Sequence, residues 1–324
     1  MATIAHHELQ DVDDQAQALN GFRQYYEQLG RGRFHGQVWQ LMTDGGGFLL
    51  RESSNRCLRQ QFAPPADHVT LAVPLAVQPG SQFAGRPLER ESLMVLNPRE
   101  EYELLSAGEM DMIGLSVHQH VVEQLAPAKQ EWLRHAQAER NLPLAPDAAA
   151  AIRAMLLAVA GEAEDDLSAL ADAAAEVELL TSTLTQTVVL AMAGDSAQQA
   201  SSIPRRADSR RRVVARAVDF MRAHLHQDIG VPEVCAAAFA SRRTLQYCFE
   251  EFLHTTPQAY LRALRLNEAR RTLKARTDQP ITALATDLGF ASASHFTRHY
   301  KLMFDELPSE TLKAYGLNPS GTGV

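Results

Sequence analysis

Residues Leu284–Phe304, LATDLGFASASHFTRHYKLMF, contain the most informative pattern in this chain. A short apolar helix containing a small residue, Ala285, is followed by a tight turn, by Ser292, and by a second helix with apolar residues at three- and four-residue spacing. A small residue lets two helices cross closely, and a serine at a helix start accepts a hydrogen bond from a free backbone amide. This pattern predicts a helix-turn-helix.

A second copy of the pattern lies upstream, in VCAAAFASRRTLQYCF, residues 234–249. Here the small residue is Cys235 and the serine is Ser241. One copy would be weak evidence, because many pairs of short helices look like this, whereas two copies in one segment are much stronger. Between the copies, Pro257–Lys274 has an uninterrupted helical pattern of ~27 Å, which would place the two second helices ~34 Å apart, one turn of B-DNA.

The distribution of charge along the chain is compatible with a polyanionic partner for residues 205–324. The net charge is -8 over 324 residues, but residues 205–324 hold 18 Lys and Arg against 12 Asp and Glu, and residues 1–204 hold 13 against 27. An acidic front fused to a basic back indicates that only the back meets a polyanion. Two differently charged faces without a partner would give the same modest numbers, so charge alone does not decide.

The front of the chain, residues 1–125, has the pattern of a β-rich domain. Short runs of aliphatic and aromatic residues alternate with clusters of turn-forming residues, which favours a sandwich or small barrel of the cupin-like kind. The expected strands are Gln37–Met42, Gly47–Glu52, Val69–Val77, Ser92–Leu96 and Met112–Val117. One amphipathic helix is expected before them, over Asp13–Leu29.

The middle of the chain, residues 126–195, is rich in Ala, Leu, Glu and Gln and is expected to be helical. The predicted helices are Val121–Gln137, Pro146–Gly161 and Asp165–Ala193. The apolar spacing of the third helix fits packing against the β-rich domain and equally fits a helix–helix dimer face. Residues 196–208 have the composition of a linker, and residues 209–316 form the last predicted domain. The predicted class is α+β.

Targeting and redox features point to the cytoplasm. The first residues lack the apolar core of a secretory signal, and Val69–Val77 is too short to cross a membrane. The three cysteines, Cys57, Cys235 and Cys248, form neither a disulfide framework nor a zinc spacing, which is typical of a reducing compartment.

The segment Pro280–Pro308 resembles the signature of AraC-type transcription regulators, which carry two helix-turn-helices in a C-terminal domain. The resemblance covers about residues 208–316. The matching residues are Gly289, Phe290, Ser292, Ser294, Phe296, Arg298, Lys301 and Pro308. Three positions depart from the pattern and put local turn geometry in question: Phe239 and Asp305 replace glycines, and Leu307 replaces Ser or Thr. The resemblance implies a homodimeric regulator, expected to be an activator, with promoter DNA, RNA polymerase and a small-molecule effector as partners.

A narrower resemblance touches both ends of the chain. FRQYYEQLGRGRFHG, residues 22–36, and parts of residues 241–271 are similar to the subfamily that regulates ethanolamine-utilisation operons. That similarity implies an effector such as ethanolamine or another small amine, with adenosylcobalamin as a co-effector. The residues themselves imply no cofactor. The sequence does not identify the residues of the effector pocket in the sensor domain.

The expected DNA-binding residues lie at or near the starts of the two second helices. They are Ser241, Arg242, Arg243, Gln246 and Tyr247 in the first motif, and Ala293, Ser294, His295, Arg298 and His299 in the second. Arg binds guanine and Gln binds adenine through paired hydrogen bonds, so Arg243 and Gln246 are expected to read bases and Arg242 to contact phosphate. The arginines at 205, 206 and 210–212 either contact phosphate or keep the linker soluble.

Two enzyme classes are the alternatives. His118 and His120, joined by His35 and His68, could make a metal site in a β-barrel enzyme that carries an accessory DNA-binding domain. An alkyl-transfer repair protein would need an activated cysteine, for which Cys57 lacks a convincing context. The sequence favours neither, so we expect no catalytic residues, no metal site and a regulator instead of an enzyme.

Overall fold

The computed structural model describes residues 2–44, 46–166, 173–195, 205–275 and 279–316. The chain divides into two compact units. The first, here the N-terminal unit, comprises Met1–Tyr26 and Phe34–Ser201. The second, the C-terminal unit, comprises Ser202–Val324 together with the short segment Glu27–Arg33.

The N-terminal unit is built on two sheets. Its strands are β1 (Thr3–Leu9), β2 (Arg23–Gln28), β3 (Gly36–Met42), β4 (Phe48–Ser54), β5 (Leu58–Ala63), β6 (His68–Val77), β7 (Gln82–Phe83), β8 (Arg86–Pro87), β9 (Ser92–Leu96), β10 (Tyr102–Leu105), β11 (Met110–His118) and β12 (Asn141–Pro143). One sheet has the order β1-β3-β4-β11-β6-β9-β12 and the other β2-β5-β10-β7-β8. The prediction of an α+β protein with a β-rich front is confirmed.

All five predicted strands are present, with ends shifted by no more than two residues. β11 lies in the middle of the larger sheet, paired antiparallel with β4 and β6. Gly114 of β11 is required there by space, because a Cβ at this position would lie 2.8 Å from the Leu71 carbonyl oxygen of β6. The aliphatic side chains of these central strands form the main core of the unit.

The helix predicted over Asp13–Leu29 is wrong beyond Ala18. Helix α1 covers Val12–Ala18, and the following residues form strand β2. Gly21, at φ +87, lies between the two elements in a conformation that L side chains rarely adopt. Helical spacing was therefore misleading, because Phe22, Tyr25 and Tyr26 all follow Gly21, and the two tyrosines lie in strand β2.

The predicted helix Val121–Gln137 is two helices, α2 (Gln119–Glu123) and α3 (Pro127–Glu139). Pro127 starts the second of them, where its missing amide costs no hydrogen bond. The other predicted helices of the middle segment correspond to α4 (Pro146–Asp165) and α5 (Ala173–Gly194). Residues 167–172 and 196–204, which include most of the predicted linker, lie outside the described residues.

Helix α5 packs one side against the main core of the N-terminal unit. Leu180, Leu184 and Val188 are buried in that core, and the Leu180 side chain occupies the space that a Cβ at Gly47 would need. By length and composition alone, Ala174–Gly194 would suffice to cross a membrane. The buried side shows the packing of a domain-core helix, so the length test is weak evidence for a membrane span.

The C-terminal unit is helical. Its helices are α6 (Arg205–Ala223), α7 (Val231–Ala238), α8 (Arg242–Leu253), α9 (Pro257–Lys274), α10 (Ile281–Asp287), α11 (Ala293–Phe304) and α12 (Pro308–Gly316). Helix α9 has the bounds predicted for the helix between the two motifs, which is here called the connector helix. Helix α6 packs on α7 and α8. Helices α8, α11 and α12 pack on α9, so α9 is buried along much of its length.

A buried carboxylate distinguishes the interior of the N-terminal unit. Glu52 accepts hydrogen bonds from the Tyr26 hydroxyl, at 2.6 Å, and from the Gln15 side-chain amide, at 2.8 Å. Burial raises the pKa of Glu52 by more than these hydrogen bonds lower it. No Lys, Arg or His pairs with this carboxylate in the described part of the chain.

We expect Glu52→Gln to flatten the pH dependence of stability of the N-terminal unit. Because the pKa of Glu52 is higher in the folded than in the unfolded state, its contribution is complete below the unfolded pKa and is lost as pH rises through the folded pKa. Urea unfolding at pH 5 and pH 8, followed by tryptophan fluorescence, checks this, since Trp39 and Trp132 both lie in this unit. Glu101→Gln, at an exposed site, is the control, and equal pH slopes in wild type and Glu52→Gln would contradict the prediction.

Candidate nucleic-acid interface

The first predicted helix-turn-helix is present as α7 and α8. Helix α7 ends at Phe239, whose backbone is left-handed with φ +52, and the Ala240 amide donates to the Cys235 carbonyl oxygen at 3.0 Å. The Ser241 hydroxyl accepts from the Thr244 amide at 3.1 Å and so caps α8. The predicted small-residue position, turn and cap are confirmed.

The second motif repeats this geometry in α10 and α11. Gly289 has φ +68, and the Phe290 amide donates to the Ala285 carbonyl oxygen at 2.9 Å, as Ala240 does to Cys235. Ser292 caps α11 by accepting from the His295 amide at 3.2 Å. From the left-handed residue to the capping serine, this turn has four residues, Gly289 to Ser292, whereas the first has three, Phe239 to Ser241. Both apolar stripes are buried as predicted: Leu245, Phe249 and Phe252 in α8, and Phe296, Tyr300 and Phe304 in α11.

Arg265 of α9 ties the two motifs together. Its buried guanidinium donates to the Gln227 carbonyl oxygen, at 2.9 Å, just before α7, and reaches the Gly289 carbonyl oxygen, at 3.5 Å, in the second turn. Burial lowers the pKa of Arg265. The connector helix therefore does more than separate the motifs, because one of its side chains links the backbone just before the first motif to the turn of the second.

The three departures from the family pattern leave the turns intact. Phe239 occupies its left-handed position with the ring exposed and the Arg216 guanidinium 5.5 Å from the ring centre. Asp305 has φ +58 at the end of α11, a conformation that Asp tolerates better than most residues. The Leu307 amide donates to the Glu310 carboxylate at 2.6 Å, which takes the place of a Ser or Thr cap.

The structure exposes every predicted DNA-binding residue of the first motif. These are Ser241, Arg242, Arg243, Gln246 and Tyr247. The two arginines stand free of ion pairs in the described part of the chain. The Gln246 amide donates to Glu250 at 3.0 Å, and the Arg210 guanidinium lies 5.7 Å from the centre of the Tyr247 ring. A base contact by Gln246 would therefore exchange one hydrogen bond for others.

The second motif presents a different surface. Ser294 and Arg298 are exposed, whereas Ala293, His295 and His299 are partly buried. The Nε2 atoms of His295 and His299 lie 2.9 Å apart. Burial, followed by the charge of Arg262, lowers the pKa of His299 to about 4. The imidazole is thus neutral near pH 7 and bonded to its neighbour, and the DNA-binding role of both histidines stays a prediction.

Sequence reasoning missed charged neighbours of these helices. Glu250 and Glu251 lie on α8, and Glu251 pairs with Arg210 at 2.8 Å, so one arginine of the basic run holds a carboxylate. Arg31 and Arg262 lie close enough to Arg298 to affect the same groups electrostatically. Arginine content alone could not reveal this grouping, because Arg31 is remote in sequence. The side chains of residues 205 and 206 lie outside the described part.

Of the histidines considered for a metal site, His68, His118 and His120 lie near one another. His118 contacts Asp67 at 2.9 Å and the His120 ring at 2.7 Å. Both ring nitrogens of His68 face oxygen acceptors, the Asp67 carboxylate and the Gly46 carbonyl, each at 2.7 Å. Within the described residues, no group of three or more His, Cys, Asp or Glu side chains could hold a metal ion.

The cysteines lack the features of a reactive thiol. Burial raises the pKa of Cys57 to about 11 and also raises the pKa of Cys235 and of Cys248. An alkyl-transfer nucleophile needs the opposite shift, toward the thiolate. The structure therefore gives no support to the repair-protein alternative.

Comparison with known proteins places a helix-turn-helix domain at residues 234–314. The chain is 34% identical over 100 residues to the XylDLEGF operon transcriptional activator of Pseudomonas putida, covering 30% of this chain and 31% of the relative. It is 36% identical over 104 residues to the probable thc operon regulatory protein of Rhodococcus erythropolis, covering 31% of each chain. The chain thus spans less than a third of the length of these relatives.

Among solved structures, the chain is similar to a transcriptional regulator with an AraC-type DNA-binding domain from Chromobacterium violaceum. The identity is 29%, the TM-score 0.32, and the match covers 35% of this chain and 99% of that one. It is 27% identical to the DNA-binding domain of AdpA in complex with target DNA, with a TM-score of 0.30, covering 32% of this chain and 91% of that one. The family match confirms the predicted helix-turn-helix domain, and the relatives named here are regulators, not enzymes.

We expect Gly289→Ala to destabilise the C-terminal unit by about 1–3 kcal/mol. The left-handed backbone penalises any Cβ, and this Cβ would lie 2.8 Å from the Arg265 guanidinium. Urea unfolding of the full chain by far-UV circular dichroism measures the loss, while tryptophan fluorescence of the N-terminal unit should not change. Phe239→Ala is the matched control, since its exposed left-handed site offers open space, and equal destabilisation by both variants would contradict this explanation.

Proposed function

We propose that this chain is an effector-responsive transcription regulator of the AraC type that binds double-stranded promoter DNA with both helix-turn-helix motifs. The observation that carries the proposal is the pair of serine-capped second helices in two motifs of matching turn geometry. Exposed arginines on both helices supply charge for the phosphate backbone and paired donors for guanine. The relatives that share this domain are named as operon regulators.

Within the first motif, Arg243 and Gln246 read bases and Arg242 contacts phosphate. Within the second, Arg298 is the principal contact and Ala293, Ser294, His295 and His299 complete the surface. The second helix offers fewer paired donors, so it mainly positions the protein on the duplex.

Arg243→Ala should cost about 1–3 kcal/mol on the cognate site and relax the base preference there. Arg242→Ala should instead weaken cognate and scrambled duplexes alike and reduce the slope of log K against log salt by about 1. Binding titrations of the full chain on both duplexes at several salt concentrations separate the two. Equal losses on both duplexes for Arg243→Ala would assign that residue to the backbone.

The N-terminal unit is the sensor in this proposal. Its effector is ethanolamine or another small amine, and adenosylcobalamin acts as a co-effector, as the similarity of residues 22–36 and 241–271 to that subfamily suggests. Effector binding shifts the population between two states of the regulator by its differential affinity for them. The protein is a cytoplasmic activator that contacts RNA polymerase, consistent with the activator name of the P. putida relative.

A homodimer completes the proposal. Helix α5 keeps apolar side chains exposed on the side away from the core, including Val177, Val189 and Met192. Apolar exposure of this kind favours an association surface. Sedimentation of wild type and of Val189→Lys tests the dimer, because a charge in the interface should shift the chain toward a monomer.

Ethanolamine and adenosylcobalamin, added singly and together, should raise the melting temperature of the chain as followed by tryptophan fluorescence. A ligand that binds only the folded state stabilises it by mass action. Ethylene glycol, which has a hydroxyl group in place of the amine, is the matched control compound. Absence of any shift with both ligands would contradict the ethanolamine effector and leave the DNA-binding proposal standing.

A further inference from the structure

The C-terminal unit contains a cavity that the DNA-binding motifs do not account for. It has a volume of about 130 Å³ and lies where the segment Glu27–Arg33 packs against α9 and α11. Its polar lining includes Arg31, Arg262 and His299, and part of its apolar lining comes from Leu29 and Leu302. The cavity thus combines side chains from three stretches of the chain that are far apart in sequence.

The segment that forms one wall is held firmly by polar contacts. The Gln28 amide donates to the Asn267 side chain at 3.0 Å, and the Asn267 amide group returns a hydrogen bond to the Gln28 carbonyl oxygen at 2.9 Å. The Gln28 side chain and the Gly32 amide both donate to the Met303 carbonyl oxygen, at 2.8 and 3.0 Å. Glu27, which is buried, pairs with Arg222 at 2.7 Å. Arg31 is therefore placed by a fixed turn.

The cavity is surrounded by positive charge that no ion pair compensates in the part of the chain that the structure describes. Burial and the charges of Arg31 and Arg298 lower the pKa of Arg262, and the same three arginines contribute to the low pKa of His299. No hydrogen bond or ion pair engages the guanidinium groups of Arg31, Arg262 or Arg298 within the described residues. Like charges held together without a partner cost free energy, which an anion in the cavity would offset.

We propose that this cavity binds a phosphate group. Guanidinium groups donate paired hydrogen bonds that match the oxygens of phosphate, and arginine is the residue that most often supplies them. The volume of about 130 Å³ is well above what a single water molecule needs, so the cavity has room for a phosphate group. The group comes either from a small phosphorylated molecule or from the DNA backbone.

The site goes beyond DNA recognition by the two motifs, because Arg31 lies outside both. A bound phosphate would join the segment Glu27–Arg33 to α9 and α11 through charge-assisted hydrogen bonds. It would therefore stabilise the packing of that segment in the C-terminal unit, whichever of the two sources supplies the group.

The first experiment titrates the full chain with inorganic phosphate in the absence of DNA, by calorimetry at constant ionic strength with chloride as the replaced anion. Saturable binding is expected, weakened about tenfold by Arg31→Gln, which removes charge-assisted hydrogen bonds. Arg31 is exposed in a turn, so this variant should fold. Arg134→Gln, at an exposed arginine of α3 in the N-terminal unit, is the matched control and should bind phosphate as wild type does.

The second experiment measures the affinity of wild type and Arg31→Gln for a promoter duplex as a function of salt. If the phosphate comes from the DNA backbone, Arg31→Gln lowers the salt slope by about 1. If it comes from a small molecule, the slope is unchanged and inorganic phosphate still binds the wild-type chain. Phosphate binding that is equal in wild type and Arg31→Gln, or no saturable binding together with an unchanged salt slope, would overturn the proposal.

The experiments distinguish failure of the proposed DNA-binding function from failure of the proposed phosphate site. A chain that binds no promoter fragment but binds phosphate through Arg31 would overturn the proposed DNA-binding function and support the cavity. Arg262→Lys provides a second variant, because it keeps the charge but loses the planar pair of donors. It should bind phosphate more weakly than wild type, and wild-type affinity in this variant would contradict the assignment of Arg262 to the site.

Discussion

The buried guanidinium of Arg265 is the interaction on which the arrangement of the C-terminal unit depends. It bonds to backbone carbonyl oxygens before the first motif and in the turn of the second. Burying such a charge costs free energy unless it is hydrogen-bonded, so the carbonyl oxygens of Gln227 and Gly289 must stay in place. Gly289 must be glycine for the same reason, because a Cβ would take the space of that guanidinium.

The two motifs share this frame but differ in what they show to solvent. The first presents arginines with an exposed glutamine and tyrosine. In the second, His295 and His299 bond to each other, and arginines from α9 and from the segment Glu27–Arg33 surround His299. The same local fold therefore supports two electrostatic environments, one suited to reading base edges and one with a concentration of unpaired positive charge.

Local features of the sequence predicted most of the fold. Serine caps, small residues at the crossing positions and apolar stripes act over a few residues, and each was found where the pattern placed it, including the bounds of α9. The five predicted strands were also correct, since they are short apolar runs between turn residues. The helix expected over Asp13–Leu29 was wrong because helical spacing and strand alternation of aromatic residues overlap in so short a segment.

Periodicity and capping within single segments were enough to predict the fold class, the two helix-turn-helix motifs and the residues that the second helix of the first motif exposes. They did not reveal that Ala293, His295 and His299 of the second motif are partly buried. Only the tertiary structure decided that Glu27–Arg33 belongs with the C-terminal helices, that Glu52 is buried beside Tyr26, and that Arg31, Arg262 and Arg298 converge. Such contacts join residues tens to hundreds of positions apart, and their free energy depends on burial and distance, which a linear pattern does not encode.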